Sequence, residues 1–193
     1  GDVYKRQVWS VAVHPDGKRL ASGGADGTVR LWDTSTHQSI QSWKVHEMPV
    51  TVVAWSPDGK LLATGGGDRT IRVLDGQTGR EKLRLENHSG AVTCLAFDPT
   101  GKYLVSGGAD RRLVLWELAT GKPQRMRERY GSVITGMAFV QEGAVLVSAG
   151  GDQLVRLWNV PGLEEIRVLT GHRQVITALA ANAAGDMVAS ADS

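Results

Sequence analysis

The chain has little cysteine, little net charge and no long apolar run, and each shortage narrows what it can be. Cys94 is the one cysteine among 193 residues. A lone thiol excludes an internal disulfide framework and a four-cysteine zinc site, and it fits a reducing, cytoplasmic setting. No apolar run approaches the roughly 18 residues of a membrane-spanning helix. A formal charge of +2 and a pI near 8.8 are too mild for a nucleic-acid or membrane surface. His14, His37, His46, His88 and His172 are too dispersed for metal-ligand spacing, so neither a metal nor another cofactor is expected. No G-x-S-x-G elbow occurs. Gly23-Gly24 and Gly65-Gly66-Gly67 are not followed by Lys-Ser or Lys-Thr and open no helix, so they read as turn glycines, not phosphate cradles.

What the chain does have is glycine, 24 residues of it, in a composition that is 41% hydrophobic and 22% charged. That suits a globular protein with one sizeable core and many turns. It also has a repeat. Lys102–Leu118, KYLVSGGADRRLVLWEL, has near copies at Lys18–Thr34, Lys60–Gly76 and Ala144–Val160, each starting 42 residues after the last. The step aligns Ser22, Thr64, Ser106, Ser148 and Ser190, then Gly17, Gly59, Gly101, Gly143 and Gly185, then Val8, Val50, Val92, Ile134 and Ile176. About four and a half copies fit. A period of this size marks a stacked or radial repeat architecture.

Each copy reads as strands. Val92–Phe97 is short, apolar and β-branched at its start, and it ends at Asp98-Pro99-Thr100-Gly101. There Pro presets one turn dihedral and Gly accepts a positive φ. His14–Gly17 and Ser56–Gly59 repeat that turn. A strand then runs into Ser106, a Gly-Gly-Ala-Asp turn follows, and a third strand ends at Trp116. Thr78-Gly79 and Thr120-Gly121 begin a more polar fourth strand. Four short strands with turns every 8–12 residues predict an all-β fold. The first strand, apolar on both faces, reads as inner; the last reads as a wet outer edge.

The marks of the repeat are a His near the start, S/T-G-G-x-D in the middle and V-R-L-W-D at the end. Together they resemble the WD-repeat family from Val8 to Ser193. The resemblance implies a β-propeller of four-stranded blades. It places blades at about 8–44, 50–86, 92–128 and 134–170, with part of a fifth at 176–193, and these are expected to form an open arc. It also implies a buried hydrogen-bond chain of His, Ser or Thr, Asp and Trp in each blade. The third copy has all four, His88, Ser106, Asp110 and Trp116. The second has His46, Thr64 and Asp68, with Leu74 at the Trp position. The fourth has Ser148, Asp152 and Trp158, with Tyr130 for His. The first has Ser22, Asp26 and Trp32, with Tyr4 at the His position. The fifth has His172 and Ser190, and the sequence stops before its Asp. A buried carboxylate needs donors and an indole N–H needs an acceptor, so blades two and four are expected to be the less rigid. His88, Ser106 and Asp110 superficially resemble a hydrolase triad, but the set recurs in every blade and reads as structural.

The family tends to bind partners on one rim through three columns. Here they are Trp9, Thr51, Thr93, Thr135 and Thr177; Pro49, Ala91, Val133 and Val175; and Ala25, Gly67, Ala109 and Gly151. Trp9 stands out, because exposed aromatics anchor interfaces. The rest are small or mildly apolar, which argues against a strongly charged ligand there. Arg125, Arg127 and Arg129 alternate along the predicted outer strand of the third blade. They read either as a charged edge that discourages edge pairing or as a basic patch for an acidic partner. Cys94 reads as a small buried filler.

Function follows from what is missing. No acid, base and nucleophile gather, so the expectation is a non-catalytic scaffold that binds proteins or peptides, not an enzyme. The alternative is a sensor or docking domain of a larger signalling enzyme, a kinase or protease, because regular repeats of this kind resemble bacterial WD-repeat proteins in which such fusions occur. Nucleic acid is not expected. Asp2–Gln7 reads as a translated transposon end of the kind used to tag sequencing libraries, so Gly1–Gln7 is expected to be an adapter scar and the chain a fragment. Without it Lys+Arg falls from 22 to 20 and Asp+Glu from 20 to 19, a net +1.

Overall fold

A computed structural model of the chain describes residues 7–128, 130–182 and 184–193. Most of the suspected scar, Tyr4 within it, and Arg129 lie outside the described residues. The chain divides into two compact units, Gly1–Val92 and Thr93–Ser193.

The first unit holds two antiparallel sheets, each strand beside its successor. One is β1 (Val8–Val13), β2 (Arg19–Gly24), β3 (Thr28–Asp33) and β4 (Ser39–Lys44). The other is β5 (Val50–Trp55), β6 (Leu61–Gly66), β7 (Thr70–Asp75) and β8 (Glu81–Glu86). In the second unit, but for Val92 at its start, β9 (Val92–Phe97), β10 (Tyr103–Gly108), β11 (Leu113–Glu117) and β12 (Lys122–Arg127) form the third blade. The fourth is β13 (Ile134–Val140), β14 (Val145–Gly150), β15 (Val155–Asn159) and β16 (Glu165–Leu169). A two-stranded sheet follows, β17 (Ile176–Ala181) with β18 (Val188–Asp192). The fold is all-β, with a single 3-10 turn at Gln141–Gly143 among the described residues.

The turns form as their residues dictate. Gly17, Gly59 and Gly101 have φ of 71°, 70° and 71°, and their N–H groups donate to His14, Ser56 and Asp98 carbonyls. Burial peaks in the second strand. β6 and β10 are buried at five of six positions, whereas β12 is exposed throughout. The first strand is less buried than its composition suggests, because it is itself a sheet edge.

The two glycines of the S/T-G-G motif serve different contacts. A Cβ on Gly23 would lie 2.6 Å from Val50 Cγ1, and one on Gly107 2.9 Å from Ile134 Cγ2, so the first Gly lets the next blade approach. A Cβ on Gly66 would lie 2.4 Å from His46 Nδ1, so the second makes room for the imidazole. Blades then pack through side chains. Val29, Leu31, Val50, Val53, Trp55 and Leu62 form one buried cluster in the first unit. Leu113, Leu115, Ile134, Met137, Leu146 and Trp158 form another in the second. Each such side chain contributes about 1.5–3 kcal/mol of burial.

Candidate functional site

The buried chains can be followed blade by blade. In the second blade His46 Nδ1 donates to the Asp68 carboxylate at 3.0 Å, and the Thr64 hydroxyl donates to His46 Nε2 at 2.8 Å. Burial pushes the imidazole below its usual range, against the pull of the Asp68 charge, so the ring is neutral and this tautomer follows. Leu74, 2% exposed, fills the indole position with packing alone. In the third blade Trp116 Nε1 donates to Ser106 Oγ at 2.8 Å, and Asp110 accepts the Arg112 amide at 3.1 Å; His88 is buried. In the first, Trp32 Nε1 donates to Ser22 Oγ at 2.8 Å. Asp26 there accepts Arg30 at 2.8 Å and the Thr28 hydroxyl at 2.6 Å. Burial would raise its carboxyl, but Arg30 and Thr28 outweigh that and hold it at about 2.

The fourth and fifth blades fill the chain with other residues. Tyr130 does not break its chain: the phenol and Ser148 hydroxyls bond at 2.8 Å, and Trp158 Nε1 donates to the same Ser148 Oγ at 2.7 Å. Tyrosine cannot also reach the turn carboxylate, and Arg156 does so instead. Its Nη1 stands 2.7 Å from Asp152 Oδ2, a close ion pair misaligned for a hydrogen bond, while its guanidinium lies 4.6 Å over the Tyr130 ring. In the fifth blade His172 Nε2 meets Ser190 Oγ at 2.7 Å, and Asp192 Oδ2 lies 3.1 Å from His172 Nδ1. Asp192 stands in the second-Gly column, the position nearest the imidazole, and so serves where the turn Asp does elsewhere. Thr64, Ser106 and Ser148 are 0% exposed, so none of these three hydroxyls is a nucleophile in reach of solvent.

The rim columns are placed by a β-bulge. Pairing skips one residue between Val8 and Ser10, Val50 and Val52, Ile134 and Gly136, and Ile176 and Ala178. Trp9, Thr51, Thr135 and Thr177 are the extra residues, and a bulge re-aims its side chain. Thr51 Oγ1 lies 2.8 Å from Gly65 O and 2.5 Å from Val92 O. Thr93 Oγ1 lies 2.5 Å from Ile134 O, and Thr135 Oγ1 2.5 Å from Ile176 O. In the second unit the Thr93 and Thr135 hydroxyls therefore tie a blade to the first strand of the next. Thr177 is exposed and 3.4 Å from Ala191 O. Trp9 has no hydroxyl; there Ser10 Oγ accepts the Val53 amide at 3.1 Å, and the Trp9 side chain stays 52% exposed.

Two of the three columns are joined by backbone bonds. Gly67 N donates to Pro49 O at 2.9 Å, Gly151 N to Val133 O at 3.0 Å and Ala25 N to Gln7 O at 2.8 Å. Ala91 is half-buried and Ala109 exposed. Val133 and Val175 are exposed. Met48 was not singled out by its sequence column, which also holds Gly90, Ser132 and Gln174. It is 52% exposed, and its Cβ lies 3.3 Å from where a Gly67 Cβ would stand. Each unit thus has exposed apolar side chains at or next to these columns. Cys94 is buried, and burial pushes its thiol up to about 12.

A family model described as the IFT122 first beta-propeller matches residues 7–192. The chain belongs to this WD-repeat β-propeller family. Among curated relatives, protein hir1 of Schizosaccharomyces pombe is 48% identical over 31 residues, 16% of this chain and 3% of that protein. Eukaryotic translation initiation factor 3 subunit I of Phaeosphaeria nodorum is 42% identical over 41 residues, 21% of this chain and 12% of that protein. Ribosome biogenesis protein erb1 of Aspergillus niger is 50% identical over 50 residues, 25% of this chain and 6% of that protein. The aligned stretches span at most 12% of these relatives, about one repeat each. All three are fungal, and they lend no support to the bacterial likeness.

Proposed function

We propose that this WD-repeat chain is a non-catalytic scaffold that holds protein or peptide partners on the rim carrying Trp9, Met48 and Pro49. The observation that carries the reading is Trp9. Its repeat-mates Thr93 and Thr135 use a hydroxyl to join blades, whereas Trp9 makes no such bond and leaves a large ring half in water. Aromatic and Met side chains exposed together are the composition of interface cores. One relative is by name a subunit of a larger factor, in keeping with this role. Protein is the proposed partner class, in the cytoplasm, rather than nucleic acid or membrane, because the balanced charge offers no continuous basic stripe.

Selection from a random peptide display library on the full chain tests this. Trp9→Ala with Met48→Ala is expected to weaken the selected peptides about 30-fold, the effect of losing a hot spot of about 2 kcal/mol. Peptides that bind the double variant as tightly as the parent would show that another surface is used.

A further inference from the structure

We propose that β12, the outer edge of the third blade, docks an acidic extended protein segment that adds to the sheet as a fifth strand. β12 ends its sheet, so one side of its backbone has no strand neighbour, and all six of its residues are exposed. Pairing along β11 skips Gln124: Leu115 faces Arg125, and Trp116 faces Pro123. That extra residue changes which side chains share a face. Leu113, Leu115 and Glu117 alternate along β11, so their partners Arg127, Arg125 and Lys122 stand on one face. Counting by twos along the sequence leaves Lys122 out; the bulge brings it in.

None of these three cations is ion-paired among the described residues. Arg125 Nη1 donates to its neighbour's carbonyl, Gln124 O, at 2.8 Å, and Arg127 Nε donates to Leu163 O at 2.5 Å. Glu117, opposite Lys122, accepts Thr120 and Gln124 instead, and Glu128 pairs with Arg112. The outer strand of the second blade behaves differently. In β8, Glu81 pairs with Arg72, Lys82 with Asp75 and Arg84 with Glu86. A charged edge that only repels other edges can be neutralised locally, as β8 is; β12 is not.

The partner's chemistry follows from this geometry. Cations on one face of a strand match carboxylates recurring at every second residue of an extended segment, about 7 Å apart. An open strand edge offers N–H and C=O groups that only a peptide backbone can pair. Pro123 cannot donate, which leaves Gln124–Arg127 as the pairing stretch. Three cations are also too few for the long basic stripe of a nucleic-acid surface. The proposal is independent of the rim around Trp9.

The probe is a fluorescein-labelled octapeptide of alternating threonine and glutamate, followed by anisotropy on the full chain. Saturable binding is expected. It should weaken at least about tenfold with Lys122→Glu plus Arg125→Glu, and similarly in about 0.5 M salt. The same peptide N-methylated at alternate amides, with its charge intact, should also lose at least about tenfold. Trp9→Ala should change nothing. Circular dichroism establishes that the charge-reversed chain is folded. The proposal is overturned by absence of saturable binding, by binding indifferent to charge reversal, or by an N-methylated peptide that binds as well as its parent. An oligonucleotide of equal charge binding as tightly as the peptide would overturn it too.

Discussion

Tyr130 offers the sharpest test of how blade four is held. Its hydroxyl meets Ser148 Oγ at 2.8 Å, and both side chains are buried. Tyr130→Phe keeps the ring, its packing on Trp158 and its place under Arg156. It removes one hydrogen bond and leaves the Ser148 hydroxyl with one partner fewer. A net bond contributes about 0.5–1.5 kcal/mol, and a buried group left unsatisfied costs about 1–3 kcal/mol. The expected destabilisation is therefore about 1–3 kcal/mol. Because the chain forms two compact units, a global melt mixes their transitions. Native-state amide exchange at Val145–Val147 in urea reads blade four alone. A double-mutant cycle with Ser148→Ala isolates the pair, with an expected coupling of at least about 0.5 kcal/mol. A coupling near zero, or Tyr130→Phe exchange equal to the parent's, would mean that the phenol is packed there but not bonded.

Three further outcomes follow from the same contacts. Gly66→Ala should destabilise blade two by about 2–4 kcal/mol, because the new Cβ would lie 2.4 Å from His46 Nδ1 and 2.5 Å from Asp68 Oδ1; a urea midpoint unchanged from the parent refutes it. Burial holds His46 below its usual range, so the unfolded chain takes up this proton first as pH falls below about 6.5. Stability should drop through that window, and His46→Gln should flatten the drop; urea midpoints between pH 8 and pH 5 give the slope. Tyr130 carries the opposite sign, since burial raises its phenol and stability is lost above pH about 10. Cys94, with its thiol pushed up to about 12, should resist a disulfide-exchange reagent at pH 8 until the chain is unfolded; stoichiometric labelling of native protein would contradict this.

The 42-residue step, the Pro-x-Gly turns and the S/T-G-G-x-D motif were enough to establish the strands and the family, because each is local chemistry repeated in register. Strand alternation, turn dihedrals and glycine positions are legible without knowing what lies opposite. What lies opposite is what the tertiary structure decided. Tyr130 bonds Ser148 at the same eighteen-residue separation as His46 and Thr64, but only the fold shows that Arg156 takes over the turn carboxylate. Asp192 reaches His172 from a glycine column, which no motif position marks. The threonines of the Trp9 column matched the rim pattern, yet Thr93 and Thr135 bond carbonyls 41 residues on, in the next blade. Lys122 joins the arginines of β12 only because a bulge shifts the register by one. In each case the deciding partner was brought close by sheet pairing or blade packing.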